Sequence, residues 1–200
     1  MSKKLREPIT RKKPVLGDGT NEADLDGFKQ RLVNSRIPTI THSKVLSDFG
    51  EAGEDLRKRL QSPSGFRVDT VNGMGTCIFG IEGKVSRFEL FATYCKSIVG
   101  IGESIVFATL HDLLTSMEYN NSDYEDYCRT HHLAIARFEK DGPFPFSNYQ
   151  RSMIENFIEA RASEGLPLHI ESIREPRLTE WWSRDFAAYL SSKLINYQVL

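Results

Sequence analysis

The sequence predicts a mainly α-helical protein, with a helical bundle core behind a flexible basic N-terminal arm and a small β-hairpin before the main helices. Three observations predict it: capping boxes followed by apolar residues at helical spacing, a strongly basic first stretch, and a glycine-rich span between the two. We place the arm at residues 1–40 and the helical core domain at residues 41–200. A chain of 200 residues that is 40% hydrophobic can bury the core of one such domain.

The N-terminal arm has a charge opposite to that of the remaining chain. Residues 1–13 hold six lysines and arginines and one glutamate, a net charge of +5, so the other residues carry −6 of the overall −1. Pro8 and Pro14 interrupt this stretch, and few of its residues are large and apolar, so burial cannot offset its ordering entropy. Two interpretations stay open: a solubilising tail, or an arm that binds an acidic surface or polymer.

A glycine-rich span follows at residues 63–83. Residues 67–71 and 76–81 are short enough to pair as a hairpin. The Gly83-Lys84-Val85-Ser86 segment lacks the Gly-Lys-Ser/Thr that a Walker-type phosphate loop needs, and the glycines are too irregular for a dinucleotide loop. We therefore interpret the glycines as turn residues and predict no cofactor.

Helical signals dominate from residue 84 onward. Each of three capping boxes is followed by apolar residues at helical spacing, and two further helices are predicted over residues 106–117 and 178–194. Amphipathic helices joined by short loops bury their apolar faces on one another, which favours a bundle. The three boxes are Ser86-x-x-Glu89, Ser122-x-x-Glu125 and Ser147-x-x-Gln150.

Cysteine usage and hydropathy indicate a cytoplasmic protein without a membrane segment. The three cysteines are odd in number and form no CxxC pair, which is typical of free thiols in a reducing compartment. No apolar run approaches the roughly 18 residues that a membrane helix needs.

One cluster could bind a metal ion. Cys128 and His131 or His132 share a helix face at a spacing that zinc ligands use, and His111 could add a third ligand. A second ligand pair is missing, however, and Cys128 lies on an apolar stripe, where a cysteine behaves as a small hydrophobe. We predict no metal site.

Catalytic chemistry is not indicated by any complete motif. A nucleophilic Cys–His pair could be built from Cys77, Cys95 or Cys128, but all three lie in apolar runs, where buried and inert thiols are expected. We predict no catalytic residues and no enzymatic activity. An enzyme with an unrecognised Cys–His site stays open as an alternative.

The helical half resembles the coat proteins of flexuous filamentous plant viruses over roughly residues 84–160. Residues 89–97, Glu-Leu-Phe-Ala-Thr-Tyr-Cys-Lys-Ser, are similar to that family's ELARYCAD segment, and Gly100 follows. Tyr127-Cys128-Arg129 is similar to its FCR segment, and residues 145–149, Pro-Phe-Ser-Asn-Tyr, stand where the family has PPANW. The family's FAAFDFFD block is not present.

The resemblance implies a non-enzymatic structural subunit of a virion. Its helical core would bind single-stranded RNA through the RNA backbone, and its arm would dock on a neighbouring copy to build a helical filament, a homo-oligomer. Arg129 follows the matched cysteine and Arg151 opens a helix, so both are predicted RNA-binding residues, and Arg87 and Lys96 join them because both lie off the apolar stripe of their helix.

A second function stays open beside this one. A helical adaptor or regulatory module would bind a protein partner through its arm or through a surface around Trp181, which lies off the apolar stripe that holds Trp182.

Overall fold

The computed structural model describes residues 22–62, 65–81, 85–139, 146–175 and 182–199. Helices and strands alternate along these residues, with two 3₁₀ turns at Thr39–Thr41 and Leu46–Phe49. No helix in this part of the chain combines the length and hydropathy needed to cross a membrane. The helices are α1 (Glu22–Asn34), α2 (Gly50–Gln61), α3 (Gly65–Val71), α4 (Arg87–Gly100), α5 (Leu110–Tyr119), α6 (Ser122–Arg129), α7 (Asn148–Ser163) and α8 (Arg184–Lys193), and the strands are β1 (Gly75–Phe79), β2 (Ile105–Thr109), β3 (His132–Ala136), β4 (Leu168–Ser172) and β5 (Leu194–Gln198).

The five strands form one parallel sheet in the order β2-β3-β4-β1-β5. Ile105 of β2 lies opposite His132 of β3, and Cys77 of β1 lies opposite Ile170 of β4. Parallel neighbours need a crossover connection, and every pair of consecutive strands is joined through at least one helix. The central strand β4 is buried along its whole length.

Helices cover both faces of this sheet. Alternate residues of β3 point to opposite faces: Ala134 packs in one core cluster with Leu90 of α4, whereas Ile135 packs in a second cluster with Ile154 of α7. The first cluster also includes residues of α1 and α2, and the second includes residues of α5, α6 and α8. The protein is therefore a three-layer α/β/α structure.

The predictions of a helical bundle and of a β-hairpin are wrong. Parallel strands covered on both faces are often largely apolar without alternation, as in most of β3, so they resemble buried helix segments in sequence. Helix α5 begins directly after β2, and β5 begins directly after α8, so a single apolar stripe runs through a strand and a helix. The predicted hairpin region holds α3 and then β1, which pairs with β4 and β5 instead of a neighbour in sequence.

Two of the three predicted helix starts are confirmed. The Ser86 side chain accepts a hydrogen bond from the Glu89 amide and caps α4, and Ser147 forms a reciprocal capping box with Gln150 at the start of α7. Helix α6 is capped one residue earlier than predicted, because Asn121 accepts the bonds there.

The described part of residues 1–40 packs on the core. Helix α1 begins at residue 22 and buries Leu32, and Ile37 follows it into the same cluster. The basic residues 1–13 lie outside the described residues, so the flexible arm stays a prediction.

Gly75, at the start of β1, provides a direct test of this strand order. A Cβ atom at this position would lie 1.5 Å from the Leu168 carbonyl oxygen of β4. We expect Gly75→Ala to lower the free energy of unfolding by about 3 kcal/mol or more, because neither strand can move away without breaking the ladder. Gly100→Ala, where a Cβ meets nothing within 4 Å, is the control and should change that free energy by less than about 1 kcal/mol, as measured by urea denaturation. Equal stability of the two variants would contradict the β1–β4 pairing.

Candidate functional site

The carboxyl ends of the parallel strands meet at one edge of the sheet, which is where α/β proteins of this kind place their ligand sites. Gly80 directly follows β1, Glu139 lies three residues beyond β3, and Glu171 and Ser172 end β4. Arg87, the first residue of α4, extends its side chain into this group. These side chains form a cluster of buried charged groups at an edge of the otherwise apolar core.

The Arg87 guanidinium forms the centre of this cluster. Its Nε donates to Glu171 Oε1, one Nη donates to the Gly80 carbonyl oxygen, and the other lies 3.8 Å from Glu139 Oε1. Arg87 is 5% exposed, Glu139 is 7% exposed and Glu171 is 0% exposed. One buried cation therefore interacts with two buried carboxylates.

The remaining oxygens of the two carboxylates are also bonded. Glu171 Oε2 accepts the Arg137 amide at 2.7 Å. Glu139 Oε2 accepts the Ser172 hydroxyl at 2.6 Å and the Ile173 amide at 2.7 Å. Burial raises the pKa of the Glu139 carboxyl above its ordinary value despite these donors. Every carboxylate oxygen of the cluster thus has a partner within the chain.

The β1–α4 connection occupies the place of a phosphate-binding loop. In the motif G-x-x-x-x-G-K-[ST], the loop follows a strand and the lysine lies at the start of a helix. If Gly80 is the first glycine, the second glycine, the lysine and the Ser/Thr fall on Val85, Ser86 and Arg87. The residues that would hold phosphates and magnesium are therefore replaced by a half-buried valine, a helix cap and the buried arginine.

Comparison with protein-family models and with curated proteins finds no match. Solved structures do share the fold. The DnaC helicase loader superposes with a TM-score of 0.64 at 12% identity, over 82% of this chain and 100% of that chain. DnaI matches with a TM-score of 0.61 at 13% identity, over 82% of this chain and 94% of that chain.

The fold that these structures share with this chain is an α/β arrangement around a parallel sheet. The replication initiator DnaA bound to AMPPCP and single-stranded DNA matches with a TM-score of 0.61 at 13% identity, over 82% of this chain and 52% of that chain. This chain spans about half the length of the initiator chains. At these identities the likeness concerns the fold alone.

The resemblance to filamentous virus coat proteins is overturned by this fold. Residues 89–97, which carried the ELARYCAD similarity, form the middle of α4 beneath a parallel sheet, and Tyr127-Cys128-Arg129 ends the short helix α6. The predicted coat function, the RNA filament, the self-assembly through the arm and the virion location are corrected accordingly.

The four predicted RNA-binding residues are not brought together. Arg87 is buried in the carboxylate cluster, and Lys96 is buried with its Nζ donating to the carbonyl oxygens of Thr41, His42 and Lys44. Arg129 has an 80% exposed side chain that pairs with Glu125 at 3.5 Å, and Arg151 is half-buried in the first turn of α7. Trp181 lies outside the described residues, whereas Trp182 is buried in the second core cluster.

The opposite edge of the sheet holds a histidine cluster. His132 begins β3 and His169 lies in β4; both are 0% exposed, and their Nδ1 and Nε2 atoms lie 3.0 Å apart. Phe66 stacks on the His132 ring at 5.6 Å. Burial lowers the pKa of His132 to about 3 and holds the pKa of His169 well below its ordinary value, so both imidazoles are neutral at neutral pH.

His131 and His132 are brought together with Glu103, not with the partners predicted from the sequence. One ligand atom from each of these three side chains lies within 4.8 Å of the others. Among the described residues, Cys128 does not join this group, and His111 lies elsewhere, on the wall of a groove of about 580 Å³. Glu103 is not among the predicted ligands, because it precedes β2, whose apolar residues predict part of a helix over residues 106–117.

Two of the three cysteines are unsuited to nucleophilic chemistry. Burial raises the pKa of the Cys77 and Cys95 thiols above the ordinary value, which keeps both protonated. Cys128 is half-buried. The Cys–His enzyme hypothesis therefore has only Cys128 as a candidate thiol.

Proposed function

We propose that this protein is a binding module of the DNA replication apparatus that works through protein contacts and neither binds nor hydrolyses nucleotide. The observation that carries the proposal is the Arg87 guanidinium, which occupies the crevice at the carboxyl edge of the sheet and already pairs with Glu171 and Glu139. The two buried carboxylates already share this one buried cation, so the cluster offers a triphosphate no net positive charge.

The loop sequence supports the same conclusion. A phosphate loop binds its anion through successive backbone amides that a glycine leaves accessible and through the lysine that follows. With Gly80 as the first glycine, Val85 and Ser86 stand in the places of the second glycine and the lysine, and the Gly83-Lys84 pair comes two residues too early in the sequence. The Ser86 hydroxyl is also used as the cap of α4.

The shared fold supports a place in replication. The DnaC helicase loader and DnaI match along 100% and 94% of their lengths, whereas the initiator matches over half. A helicase loader acts on a helicase, so the partner that we propose is a replicative DNA helicase. The alternative foreseen from the sequence, an adaptor for a protein partner, fits this proposal better than the coat-protein function. A replication role agrees with the cytoplasmic location expected from free thiols.

A nucleotide-binding assay tests the first half of the proposal. We expect isothermal titration with ATP, ADP and AMPPCP in the presence of Mg²⁺ to give no heat of binding at millimolar nucleotide. The initiator DnaA, whose structure contains AMPPCP, is the positive control. Micromolar binding of any of these nucleotides would refute the proposal.

A helicase-binding assay tests the second half. We expect the purified chain to bind a purified replicative helicase with the same Kd, within about two-fold, in buffer with Mg²⁺ and ATP and in buffer with EDTA and no nucleotide. Initiator DnaA is immobilised as a second candidate partner, because a likeness of fold does not by itself distinguish the helicase from DnaA as the protein that this chain binds. Failure to bind the helicase, or binding that needs ATP, would overturn this half.

A further inference from the structure

The histidine cluster at the amino edge of the sheet is not used by the proposed function, and its hydrogen bonds are incomplete. His132 Nδ1 and His169 Nε2 bond to each other, but His132 Nε2 and His169 Nδ1 are both buried and find no hydrogen-bond partner among the residues that the structure describes. Buried ring nitrogens almost always have a partner, and leaving one unpaired costs about 1–3 kcal/mol. A buried site with such a defect needs an explanation.

The hydrogen bond between the two rings is compatible with two tautomers of the pair. A neutral imidazole carries one N–H, so only one ring donates across the contact between His132 and His169. If His132 donates through Nδ1, its Nε2 is left with a bare lone pair. Metal-ligating histidines usually have this arrangement, with one nitrogen on the ion and the other donating to a neighbour.

Two further candidate ligands, His131 and Glu103, lie near the His132 side chain. His131 Nδ1 is 3.7 Å from Glu103 Oε2, and the His131 and His132 rings are 4.6 Å apart. In a tetrahedral zinc site, ligand atoms about 2.0–2.1 Å from the ion stand about 3.4 Å from one another. The side chains of His131 and Glu103 are 42% and 35% exposed, so they can close the remaining distance from 4.8 Å by rotamer changes.

We propose that Glu103, His131 and His132 bind one divalent transition-metal ion of the zinc class, with a solvent molecule in the fourth position. Two imidazoles and one carboxylate are a ligand set that zinc accepts, and this set does not suit the all-oxygen preference of calcium or magnesium. His169 would accept the Nδ1 proton of His132 and leave His132 Nε2 for the ion.

The backbone already holds the three ligands in register. Glu103 precedes β2 and His131 precedes β3, and these neighbouring strands begin together, with the His132 amide donating to the Ser104 carbonyl oxygen at 3.1 Å. Arg161 donates to the His131 carbonyl oxygen at 3.2 Å and fixes that connection further. The ion would therefore join the α4–β2 connection to the α6–β3 connection.

The test is a metal titration of the full chain after dialysis against a chelator. We expect one equivalent of Zn²⁺ to bind by isothermal titration, one equivalent of Co²⁺ to give the visible absorption of a tetrahedral site, and the melting temperature to rise because the ion binds only the folded state. Absence of stoichiometric binding of both ions would overturn the proposal.

Substitutions of the proposed ligands and of control residues test where the ion binds. His131→Ala and Glu103→Gln change half-exposed side chains, so the fold should persist and the Zn²⁺ affinity should fall by about ten-fold or more. His111→Ala and Cys128→Ser are matched controls and should bind Zn²⁺ like the parent, because neither residue belongs to the group. Parent-like binding by His131→Ala and Glu103→Gln, or loss of binding in Cys128→Ser, would contradict the assignment. The outcome does not depend on nucleotide or helicase binding.

Discussion

Replacement of Arg87 with alanine is expected to lower the free energy of unfolding by about 3–5 kcal/mol at neutral pH. The guanidinium is the cation that faces Glu171 and Glu139, and both carboxylates are less than 10% exposed. Removal of one partner of a buried pair leaves an uncompensated charge, and its desolvation cost exceeds the net value of the pair itself. The amide donors of Arg137 and Ile173 remain, but they cannot replace a full charge.

Urea denaturation of the variant and the parent measures this loss. Arg129→Ala is the matched control: it removes an arginine that pairs with Glu125 on the surface, with an 80% exposed side chain, and should cost less than about 1 kcal/mol. A double variant, Arg87→Ala with Glu171→Gln, should recover part of the stability, because one of the unpaired charges is gone. Equal effects of the two single arginine variants would show that the cluster is hydrated and not buried.

The helices of this fold were more accessible to prediction than its strands. The caps at Ser86 and Ser147 are local hydrogen bonds between residues three apart, so four residues of sequence specify them. The β3 strand instead depends on contacts with β2 and β4, whose partners lie tens of residues away. Its five residues are buried on both faces and follow α6 after a two-residue gap. In the sequence, their apolar residues therefore look like a continuation of that helix.

The charged clusters could be predicted only in part. His131 and His132 were recognised as candidate ligands because they are adjacent, whereas Glu103 and His169 reach them only through the pairing of neighbouring strands. In residues 168–171, Leu-His-Ile-Glu, polar and apolar residues alternate as in a strand, and this pattern was the available signal for β4. Nothing in the sequence marks Arg87 as buried, since an arginine at the start of a helix is ordinarily solvated.

The carboxylate cluster and the histidine cluster accommodate their buried polar groups in different ways. At the carboxyl edge the Arg87 guanidinium pairs with the buried carboxylates, whereas at the amino edge His132 and His169 stay neutral because burial lowers their pKa values. Burial of a neutral imidazole lowers the free energy of unfolding little at neutral pH, but it lowers that free energy strongly in acid, where the unfolded chain takes up a proton and the folded chain does not.

Acidification from pH 6.5 to pH 5 is expected to destabilise the protein steeply through the histidine pair. In the unfolded chain both imidazoles take up a proton as the pH falls through about 6.5. In the folded chain the pKa of His132 is about 3 and that of His169 lies well below its ordinary value, so neither takes one up in this range. The unfolded state therefore binds more protons, and the free energy of unfolding falls by about 1.4 kcal/mol per pH unit for each group.

Urea denaturation between pH 7 and pH 5, in the presence of a chelator, measures this slope. His132→Gln removes one of the two groups and should flatten the profile by about 1.4 kcal/mol per pH unit below pH 6, whereas His111→Gln, which changes an exposed ring outside the cluster, should leave it unchanged. The Glu139 carboxyl acts with the opposite sign, because its raised pKa lets the folded state take up a proton first, but it is present in all three proteins and cancels in the comparison. Parallel profiles for His132→Gln and the parent would mean that the pair is protonated, and hence hydrated, in the folded protein.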